Sequence, residues 1–252
     1  MTTHTMTGQG QRGENTMTRN VIEIHGLTKT YGALRALDEL DLTLPTGQII
    51  GLLGENGCGK TTLLKVLAGM LASHTGEVSI AGHRPGPESK AIVSFLPDAS
   101  FLPDGAKVSE CVQMYKDFFA DFDVDKAVDL IGFFGLEHAM KLKQMSKGMR
   151  EKVQIALAMS RRATVYLLDE PISGVDPAAR EVILDGMVRN LSPDSLVVIS
   201  THLVHDLEPI LDGVVMMRHG RVLLAGEVDD LRAQHNKSID QLFREVYQWS
   251  PR

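Results

Sequence analysis

The stretch that decides the fold reads Ile49-Ile50-Gly51-Leu52-Leu53-Gly54-Glu55-Asn56-Gly57-Cys58-Gly59-Lys60-Thr61. The apolar run at 48–53 predicts a buried strand, and the periodic apolar residues over 61–71 predict a helix. The turn between them fits the pattern G-x-x-x-x-G-K-[ST], in which backbone N–H groups surround phosphate at a helix N-terminus. These residues therefore predict an α/β fold built around a phosphate-binding loop.

Side chains of this phosphate loop, residues 54–61, have distinct predicted tasks. Lys60 is expected to reach the β- and γ-phosphates of a nucleotide, and the Thr61 hydroxyl is expected to hold Mg²⁺. Cys58 lies near Lys60 and the start of the helix, and both features favour a thiolate. The residues expected to contact nucleotide here are Gly54, Glu55, Asn56, Gly57, Cys58, Gly59, Lys60, Thr61 and Thr62.

A second apolar run, at 165–168, ends in two carboxylates, Asp169 and Glu170. Parallel strands deliver such side chains to the crevice at the carboxyl edge of their sheet. Asp169 is expected to coordinate Mg²⁺ through water, and Glu170 to orient and polarise an attacking water. An acidic pair at a strand end is by itself more often a helix cap, so the catalytic interpretation depends on the upstream phosphate loop.

The rest of the apolar pattern indicates one α/β domain. A helix precedes each of two buried strands, as in a mostly parallel sheet, and two early strands are expected to form an antiparallel edge layer. A late hairpin completes the pattern. Besides the strand at 48–53, the predicted strands lie at 21–24, 40–44, 165–168, 196–200, 214–217 and 221–224.

Composition divides the chain into three parts. Residues 1–20 are rich in Thr, Gly, Gln and Asn and are expected to be disordered. The domain is expected to span 21–235, with a helical subdomain at about 99–155. The segment 236–252 is expected to form an amphipathic helix whose apolar stripe docks on its own domain rather than on a partner. The stripe consists of Ile239, Leu242, Phe243 and Val246.

The helical region also holds features that need no functional assignment. Residues 108–135 contain five of the eight phenylalanines, most of which are expected in the core, with one or two exposed. Asp121, Asp123 and Asp125 begin like a calcium loop but lack its glycine and its final glutamate. A cluster that caps a helix N-terminus is the better interpretation.

Overall composition excludes several classes of protein. With 43% hydrophobic and 23% charged residues, the chain resembles ordinary globular domains rather than disordered ones. Its formal net charge of −6 argues against binding nucleic acid through phosphate neutralisation. Two cysteines cannot form a disulfide framework, so a reducing cytosol is the expected compartment. The sequence contains no uninterrupted run of 18 apolar residues, so no membrane-spanning helix is predicted.

The order of these motifs resembles the ATP-binding cassette (ABC) ATPases, whose nucleotide-binding domains power membrane transporters. The resemblance covers about residues 21–235 and implies a P-loop NTPase fold with ATP and Mg²⁺ as cofactors. In Met145-Ser146-Lys147-Gly148-Met149, Ser146 and Gly148 match the LSGGQ signature of the family, whereas the other three residues do not. In the family this segment contacts the γ-phosphate of ATP held by the other subunit, which implies a head-to-tail dimer.

Further site residues follow from the same resemblance. Tyr31 stands where an aromatic side chain stacks on adenine, and His202 matches the switch histidine that contacts the γ-phosphate. Residues 173–176 match the loop that crosses the dimer interface. Asp98 stands where the family usually carries a glutamine that touches Mg²⁺ and relays to the membrane subunits, with Asp104 as a weaker candidate. Whether coupling follows the usual route is open.

The resemblance thus implies an ATP-hydrolysing subunit that drives a separately encoded membrane permease, an exporter rather than an importer. The subunit would dimerise with itself or with another ABC ATPase and would be cytoplasmic, on the inner face of the cell membrane. No nucleic-acid partner is expected. The alternatives are a soluble non-transport ABC protein and a regulatory cassette with little turnover. The single cassette argues against the first, and Glu170 with His202 against the second.

Overall fold

The computed structural model describes residues 19–248, so the expectations for residues 1–18 and 249–252 lie outside the described residues. Within this range the chain forms nine strands and nine α-helices. The strands are β1 (Asn20–Tyr31), β2 (Leu34–Pro45), β3 (Ile49–Leu53), β4 (Thr75–Ile80), β5 (Val93–Leu96), β6 (Val165–Asp169), β7 (Leu196–Thr201), β8 (Gly213–Arg218) and β9 (Arg221–Glu227). The helices are α1 (Lys60–Leu67), α2 (Pro87–Ile92), α3 (Val108–Phe118), α4 (Val124–Phe133), α5 (Lys147–Met159), α6 (Pro177–Arg189), α7 (Val204–Leu207), α8 (Val228–His235) and α9 (Ile239–Gln248).

The central sheet has the strand order β5-β6-β7-β3-β8-β9, and every pair is parallel except the β8–β9 hairpin. Its register aligns Leu53 with Thr201 and Asp169 with Ser200. The carboxyl ends of β3, β6 and β7 therefore meet at one edge of the sheet. This confirms the predicted mostly parallel sheet and places the phosphate loop and the Asp169-Glu170 pair at the same edge of the sheet, with β7 between their strands.

Burial explains why these strands are apolar along their whole length. Every residue of β6 and β7 is buried, because side chains on both faces of the sheet are covered. Each fully buried Leu, Ile or Val side chain contributes roughly 1.5–3 kcal/mol relative to an exposed one. The sheet is thus a stable platform whose edge carries the polar residues of the site.

The antiparallel edge layer has the order β2-β1-β4. It confirms the predicted layer but is larger than expected, since β1 begins at Asn20 and runs to Tyr31 through several register shifts. The third strand, β4, was not predicted. Helix α1 is also shorter than the predicted helix at 61–71, because Gly69 adopts a left-handed backbone with φ of +66° after the cap at Ala68.

The helical region contains α3, α4 and α5. Asp123 caps α4 by accepting a hydrogen bond of 3.0 Å from the Lys126 N–H, which confirms the capping interpretation of the acidic triplet. The phenylalanine prediction is also confirmed: most of these rings are at least half-buried, and two are exposed. Phe134 is buried, Phe119 and Phe122 are half-buried, and Phe118 and Phe133 are exposed.

A buried guanidinium connects the helical region to the sheet. Arg161 donates hydrogen bonds to Asp121, to the Val93 carbonyl at 2.6 Å and to the Ala91 carbonyl at 2.9 Å. The guanidinium carbon of Arg161, Cζ, also lies 4.2 Å from the centre of the Phe119 ring. Because a planar guanidinium with several fixed acceptors holds a defined geometry, Arg161 fixes the start of β5 relative to the helices.

The C-terminal helix, α9, packs on the domain. Ile239 and Leu242 are buried, and Phe243 and Val246 pack against the same core, which confirms the predicted docking of the stripe on its own domain. The predicted helix at 236–252 begins three residues later than expected, at Ile239. Among the described residues, none of the helices has the length and apolarity needed to cross a bilayer.

Candidate active site

The phosphate loop leaves β3 at Leu53 and enters α1 at Lys60. Gly59 has φ of +112°, and a Cβ there would lie 2.5 Å from the Ala36 carbonyl oxygen, so only glycine fits. A Cβ on Gly54 would clash with Cys58 Sγ and lie 2.7 Å from the Met217 carbonyl oxygen. Both glycines of the motif, Gly54 and Gly59, are therefore required by close packing around the loop.

Lys60 is buried, with 6% of its surface exposed. Its Nζ donates hydrogen bonds to the Gly54 carbonyl at 2.6 Å and to the Glu55 carbonyl at 3.3 Å. Because both partners are neutral carbonyls, the charge of this buried ammonium is solvated but not neutralised. The loop thus carries a positive charge at a helix N-terminus, which suits an anionic ligand.

The other loop residues differ in exposure. Glu55, Asn56 and Gly57 are exposed at the loop crest, whereas Thr61 and Thr62 are half-buried in the first turn of α1. Thr61 follows Lys60 directly, and a threonine hydroxyl oxygen is of the kind that Mg²⁺ accepts as a ligand.

Asp169 ends β6 and is fully buried. Its Oδ1 accepts a hydrogen bond of 2.5 Å from the Ser200 hydroxyl, while its Oδ2 is buried without a hydrogen-bond partner in the described structure. A buried carboxylate oxygen with no partner is costly unless a cation or an ordered water satisfies it. The donor set of Asp169 with Thr61 therefore fits Mg²⁺, which prefers oxygen ligands.

Glu170 follows with a left-handed backbone, φ of +50°, which is uncommon for a residue other than glycine. Its N–H donates to the Ser200 carbonyl at 3.1 Å, so neighbouring β7 fixes this conformation. The Glu170 carboxylate oxygen Oε2 lies 3.0 Å from Nδ1 of His202, which follows β7. The structure thus brings together two residues that the sequence places 32 positions apart. Strain of this kind is concentrated at functional sites.

A pocket beside Glu170 contains a polar residue that the sequence analysis missed. Its lining comprises Leu96, Pro97, Asp98, Glu151, Gln154, Glu170 and Pro171. Gln154 is only 4% exposed, and its Oε1 has no hydrogen-bond partner among the described residues. Burial raises the pKa of Glu151, and the nearby Lys147 only partly opposes this shift. Gln154 has no motif of its own and was hidden within the apolar periodicity of α5.

The structure separates the two aspartates considered for the position of the family glutamine. Asp98 lines the pocket that contains Glu170. Asp104 instead forms an ion pair of 2.7 Å with Arg150. Asp98 is therefore the one of the two that lines this pocket.

Ser146 and Gly148 lie at the N-terminus of α5, and the described contacts do not join them to the phosphate loop of the same chain. The Ser146 hydroxyl accepts a hydrogen bond of 3.2 Å from the Met149 N–H and so caps the helix. Lys147 covers Gly174, where a Cβ would clash with it. The segment 173–176 thus packs against this helix start, although the two are far apart in sequence.

Tyr31 lies at the end of β1 with 47% of its surface exposed. Its ring centre is 5.1 Å from Nζ of Lys29. An exposed aromatic ring at the end of a strand is available for stacking on a flat ligand.

The sequence predicts a lowered thiol pKa for Cys58, and this expectation is wrong. Cys58 is buried, and burial raises the pKa of its thiol, while the charge of Lys60 and two backbone hydrogen bonds oppose this shift less strongly. The helix N-terminus and Lys60 were the only influences visible in the sequence. Desolvation, which depends on packing around Gly54 and Cys58, outweighs them.

Comparisons with known proteins give matches within one family. A family profile described as ABC transporter matches residues 37–173. The uncharacterized ABC transporter ATP-binding protein YdbJ of Bacillus subtilis (strain 168) is 31% identical over 82% of this chain and 69% of its own length. The Nod factor export ATP-binding protein I of Ralstonia nicotianae (strain ATCC BAA-1114 / GMI1000) is 30% identical over 84% of this chain and 68% of its own. A solved structure described as an ATP binding subunit of an ABC transporter superposes with a TM-score of 0.81 at 27% identity, over 90% of this chain and 99% of the other.

Proposed function

The chain belongs to the ABC transporter family as an ATP-binding protein, and from that premise we propose that it hydrolyses MgATP to drive a separately encoded membrane permease. The observation that carries the proposal is the contact of 3.0 Å between Glu170 and His202. The strand that precedes His202 pairs with β3, which leads into the phosphate loop. A phosphate held by that loop is thus served by His202, which follows the strand next to β3, and by Glu170, which follows the strand beyond it.

Binding begins at the phosphate loop. The N–H groups at the start of α1 point towards the ligand, and Lys60 exchanges its contacts with the Gly54 and Glu55 carbonyls for the β- and γ-phosphate oxygens. Gly54, Asn56, Gly57, Cys58, Gly59 and Thr62 shape the rest of the cradle. Tyr31 stacks on the adenine ring.

Bound Mg²⁺ supplies positive charge that offsets the charge developing on the phosphoryl oxygens. The Thr61 hydroxyl and Asp169 would hold it, and Asp98 would supply a further carboxylate oxygen. The unpartnered Oδ2 of Asp169 supports this assignment. Phosphoryl transfer needs mostly positioning and charge stabilisation, so the residues that would hold Mg²⁺ contribute directly to the catalysed step.

Glu170 acts on the attacking water. His202 holds Oε2 of Glu170 and thereby leaves Oε1 to accept a hydrogen bond from water and to polarise it. Glu170 adopts a left-handed backbone directly after β6, while its N–H remains bonded to the Ser200 carbonyl. His202 is 47% exposed along its side chain, so its ring is accessible to the γ-phosphate.

A second chain completes the site. Ser146 and Gly148 at the start of α5 offer a hydroxyl, backbone N–H groups and a helix N-terminus to the γ-phosphate held by a partner subunit. Segment 173–176 packs on this helix start and would lie in the same interface. The partner is a second copy of this chain or another ABC ATPase.

The permease assignment rests on the family and on the export function named for the Nod factor relative. On this proposal the chain is cytoplasmic, is peripheral on the inner face of the cell membrane and is part of an exporter. The alternatives remain a soluble non-transport ABC ATPase and a regulatory cassette with little turnover. The Glu170–His202 pair favours turnover over a purely regulatory role.

Purification of the tagged chain from gently solubilised native membranes tests the proposal. The expected result is a stable complex with an integral membrane protein and Mg²⁺-dependent ATP hydrolysis that is lost in a Glu170→Gln variant. Recovery of ribosomal components without any membrane protein would contradict the transport assignment. Hydrolysis equal in the wild type and the Glu170→Gln variant would contradict the catalytic one.

A further inference from the structure

The last side chains of α9 reach the back of the phosphate loop. The Tyr247 hydroxyl donates a hydrogen bond of 2.5 Å to the carbonyl oxygen of Met217, in β8. This strand pairs with β3, since Met216 aligns with Leu53. The Tyr247 hydroxyl is thus held at the point where β3 becomes the phosphate loop.

The same hydroxyl lies behind Gly54, the first residue of the loop. A Cβ placed on Gly54 would lie 3.4 Å from Tyr247 Oη and 2.7 Å from the Met217 carbonyl, and would clash with Cys58 Sγ. Burial raises the pKa of the Tyr247 hydroxyl, and the neighbouring Cys58 and Glu55 raise it further. Tyr247 therefore stays neutral and keeps its proton for the Met217 carbonyl at physiological pH.

A second hydrogen bond holds the loop from the neighbouring hairpin. The N–H of Gly220, in the turn between β8 and β9, donates to the Cys58 carbonyl at 2.9 Å. Tyr247 ties α9 to the strand that carries this turn. Movement of Tyr247 would therefore disturb both the packing of the Met217 carbonyl behind Gly54 and the hydrogen bond from Gly220 to Cys58.

The opposite end of α9, its N-terminus, is anchored by Glu208. Glu208 accepts hydrogen bonds from the N–H groups of Ile239 at 2.9 Å and Asp240 at 3.2 Å. Arg232 holds the same carboxylate at 2.7 Å. Because Glu208 lies six residues after His202, α9 spans from the segment that follows His202 to the phosphate loop.

We propose that Tyr247 is a positioning residue for the phosphate loop, through which α9 sets the affinity of the site for nucleotide. This inference rests on the proposed binding of ATP by that loop. Its premise is that a preformed loop binds phosphate more tightly than one that the ligand must order. Tyr247 holds the preformed shape from behind, without touching the ligand.

Tyr247→Phe is the direct test, since it removes one hydroxyl and keeps the ring that packs 4.5 Å from the ring of Phe243. We expect the Kd for ATP, measured by isothermal titration, to rise about threefold to tenfold, the usual range for one lost hydrogen bond. The maximal rate at saturating ATP should change less than twofold. Alkylation of Cys58 should become several-fold faster, because the packing of Met217 and Tyr247 behind the loop becomes looser.

Tyr166→Phe provides a matched control. The Tyr166 hydroxyl also donates a hydrogen bond of 2.5 Å to a buried backbone carbonyl, that of Arg161, and it lies on β6, which is not a neighbour of β3 in the sheet. The control should lose stability but keep the wild-type Kd and the wild-type alkylation rate of Cys58. If Tyr247 had a purely structural role, Tyr247→Phe and Tyr166→Phe would change the Kd for ATP and the alkylation rate of Cys58 to the same extent.

The outcomes separate this inference from the proposed function. Wild-type protein that binds ATP together with a Tyr247→Phe Kd within twofold of the wild type would overturn the inference alone. An equal rise of the Kd in Tyr166→Phe would also overturn it. Wild-type protein that binds no ATP at all would refute the proposed function and the inference with it.

Discussion

Nδ1 of His202 lies 3.0 Å from Oε2 of Glu170, so the residues that follow two neighbouring strands share one hydrogen bond. Both residues are fixed by their strands, Glu170 through the bond of its N–H to Ser200 and His202 through its place directly after β7. The contact gives the Glu170 carboxylate a defined orientation, on which the first prediction depends.

Glu170→Gln should abolish most ATP hydrolysis. The amide keeps the size and a hydrogen bond to His202 but lacks the charge that polarises water, so the maximal rate should fall about 10²- to 10⁴-fold. ATP affinity should change little, because Lys60 and the loop backbone are intact. Steady-state phosphate release and ATP titration measure the two quantities. A variant with more than a tenth of the wild-type rate would remove Glu170 from the catalytic role.

The same variant should also report the two-subunit site. Unhydrolysed ATP shared between Lys60 of one chain and Ser146 of another should hold two chains together in size-exclusion chromatography with MgATP. ADP lacks the bridging phosphate and should give a monomer. Lys60→Ala added to Glu170→Gln should abolish the dimer. A monomer at saturating ATP, both with and without the permease, would contradict the shared site.

Asp98→Asn should weaken the use of Mg²⁺. Removal of one carboxylate beside the metal site is expected to raise the Mg²⁺ concentration for half-maximal hydrolysis about tenfold. Asp104→Asn is the matched control, because Asp104 forms an exposed ion pair with Arg150 and such pairs contribute little. Titration of the rate with Mg²⁺ distinguishes the two. Equal Mg²⁺ dependence in both variants would show that Asp98 does not serve the metal.

Cys58 should react slowly with alkylating reagents at neutral pH. Burial raises the pKa of its thiol, so the thiolate fraction at pH 7 is smaller than in a free cysteine and grows only as the pH rises. Labelling in a Cys111→Ser background, followed by mass spectrometry from pH 7 to 10, measures the rate. ATP should slow it further by covering the loop. Reaction at pH 7 as fast as that of a small thiol would contradict the burial argument.

Glu208 should contribute a pH-dependent part of the stability. Burial alone would raise the pKa of Glu208, but the hydrogen bond from Arg232 and those from Ile239 and Asp240 outweigh it and lower the pKa below its ordinary value of 4.5. A lowered carboxylate pKa stabilises the fold above the unfolded value, and this contribution is lost as the pH falls through the folded-state value.

Glu208→Gln tests this dependence by thermal unfolding. At pH 7 the substitution should lower the free energy of unfolding by about 1–2 kcal/mol, which corresponds to a Tm loss of about 4 °C. The difference from the wild type should shrink as the pH is lowered below 4.5. A difference that stays constant from pH 7 to pH 3 would show that the loss is not electrostatic.

Much of the sheet could be predicted because parallel strands buried on both faces have continuous apolar sequences, as in β3, β6 and β7. The phosphate loop follows from its motif. Strand β4 was missed, since three of its six residues are exposed and its pattern carries no strong alternation. The extension of β1 to Tyr31 passes through bulges that interrupt the period of two on which strand prediction depends.

The site was predictable where a residue type follows a strand end, as with Asp169, Glu170 and His202. It was not predictable where packing decides the chemistry. The pKa of Cys58 depends on how closely Gly54 covers the sulfur, and the exposure of Gln154 depends on what surrounds α5. Tyr247 lies behind a loop almost 200 residues earlier, and a sequence pattern carries no such pairing.

The phosphate loop is held by its own lysine. The hydrogen bonds of Lys60 to the Gly54 and Glu55 carbonyls fix the shape of the loop. An incoming nucleotide exchanges one set of partners for another and orders little backbone, so association should be limited by diffusion and orientation. The residence time of the nucleotide, rather than its rate of arrival, is then the quantity that distinguishes ATP from ADP at this loop.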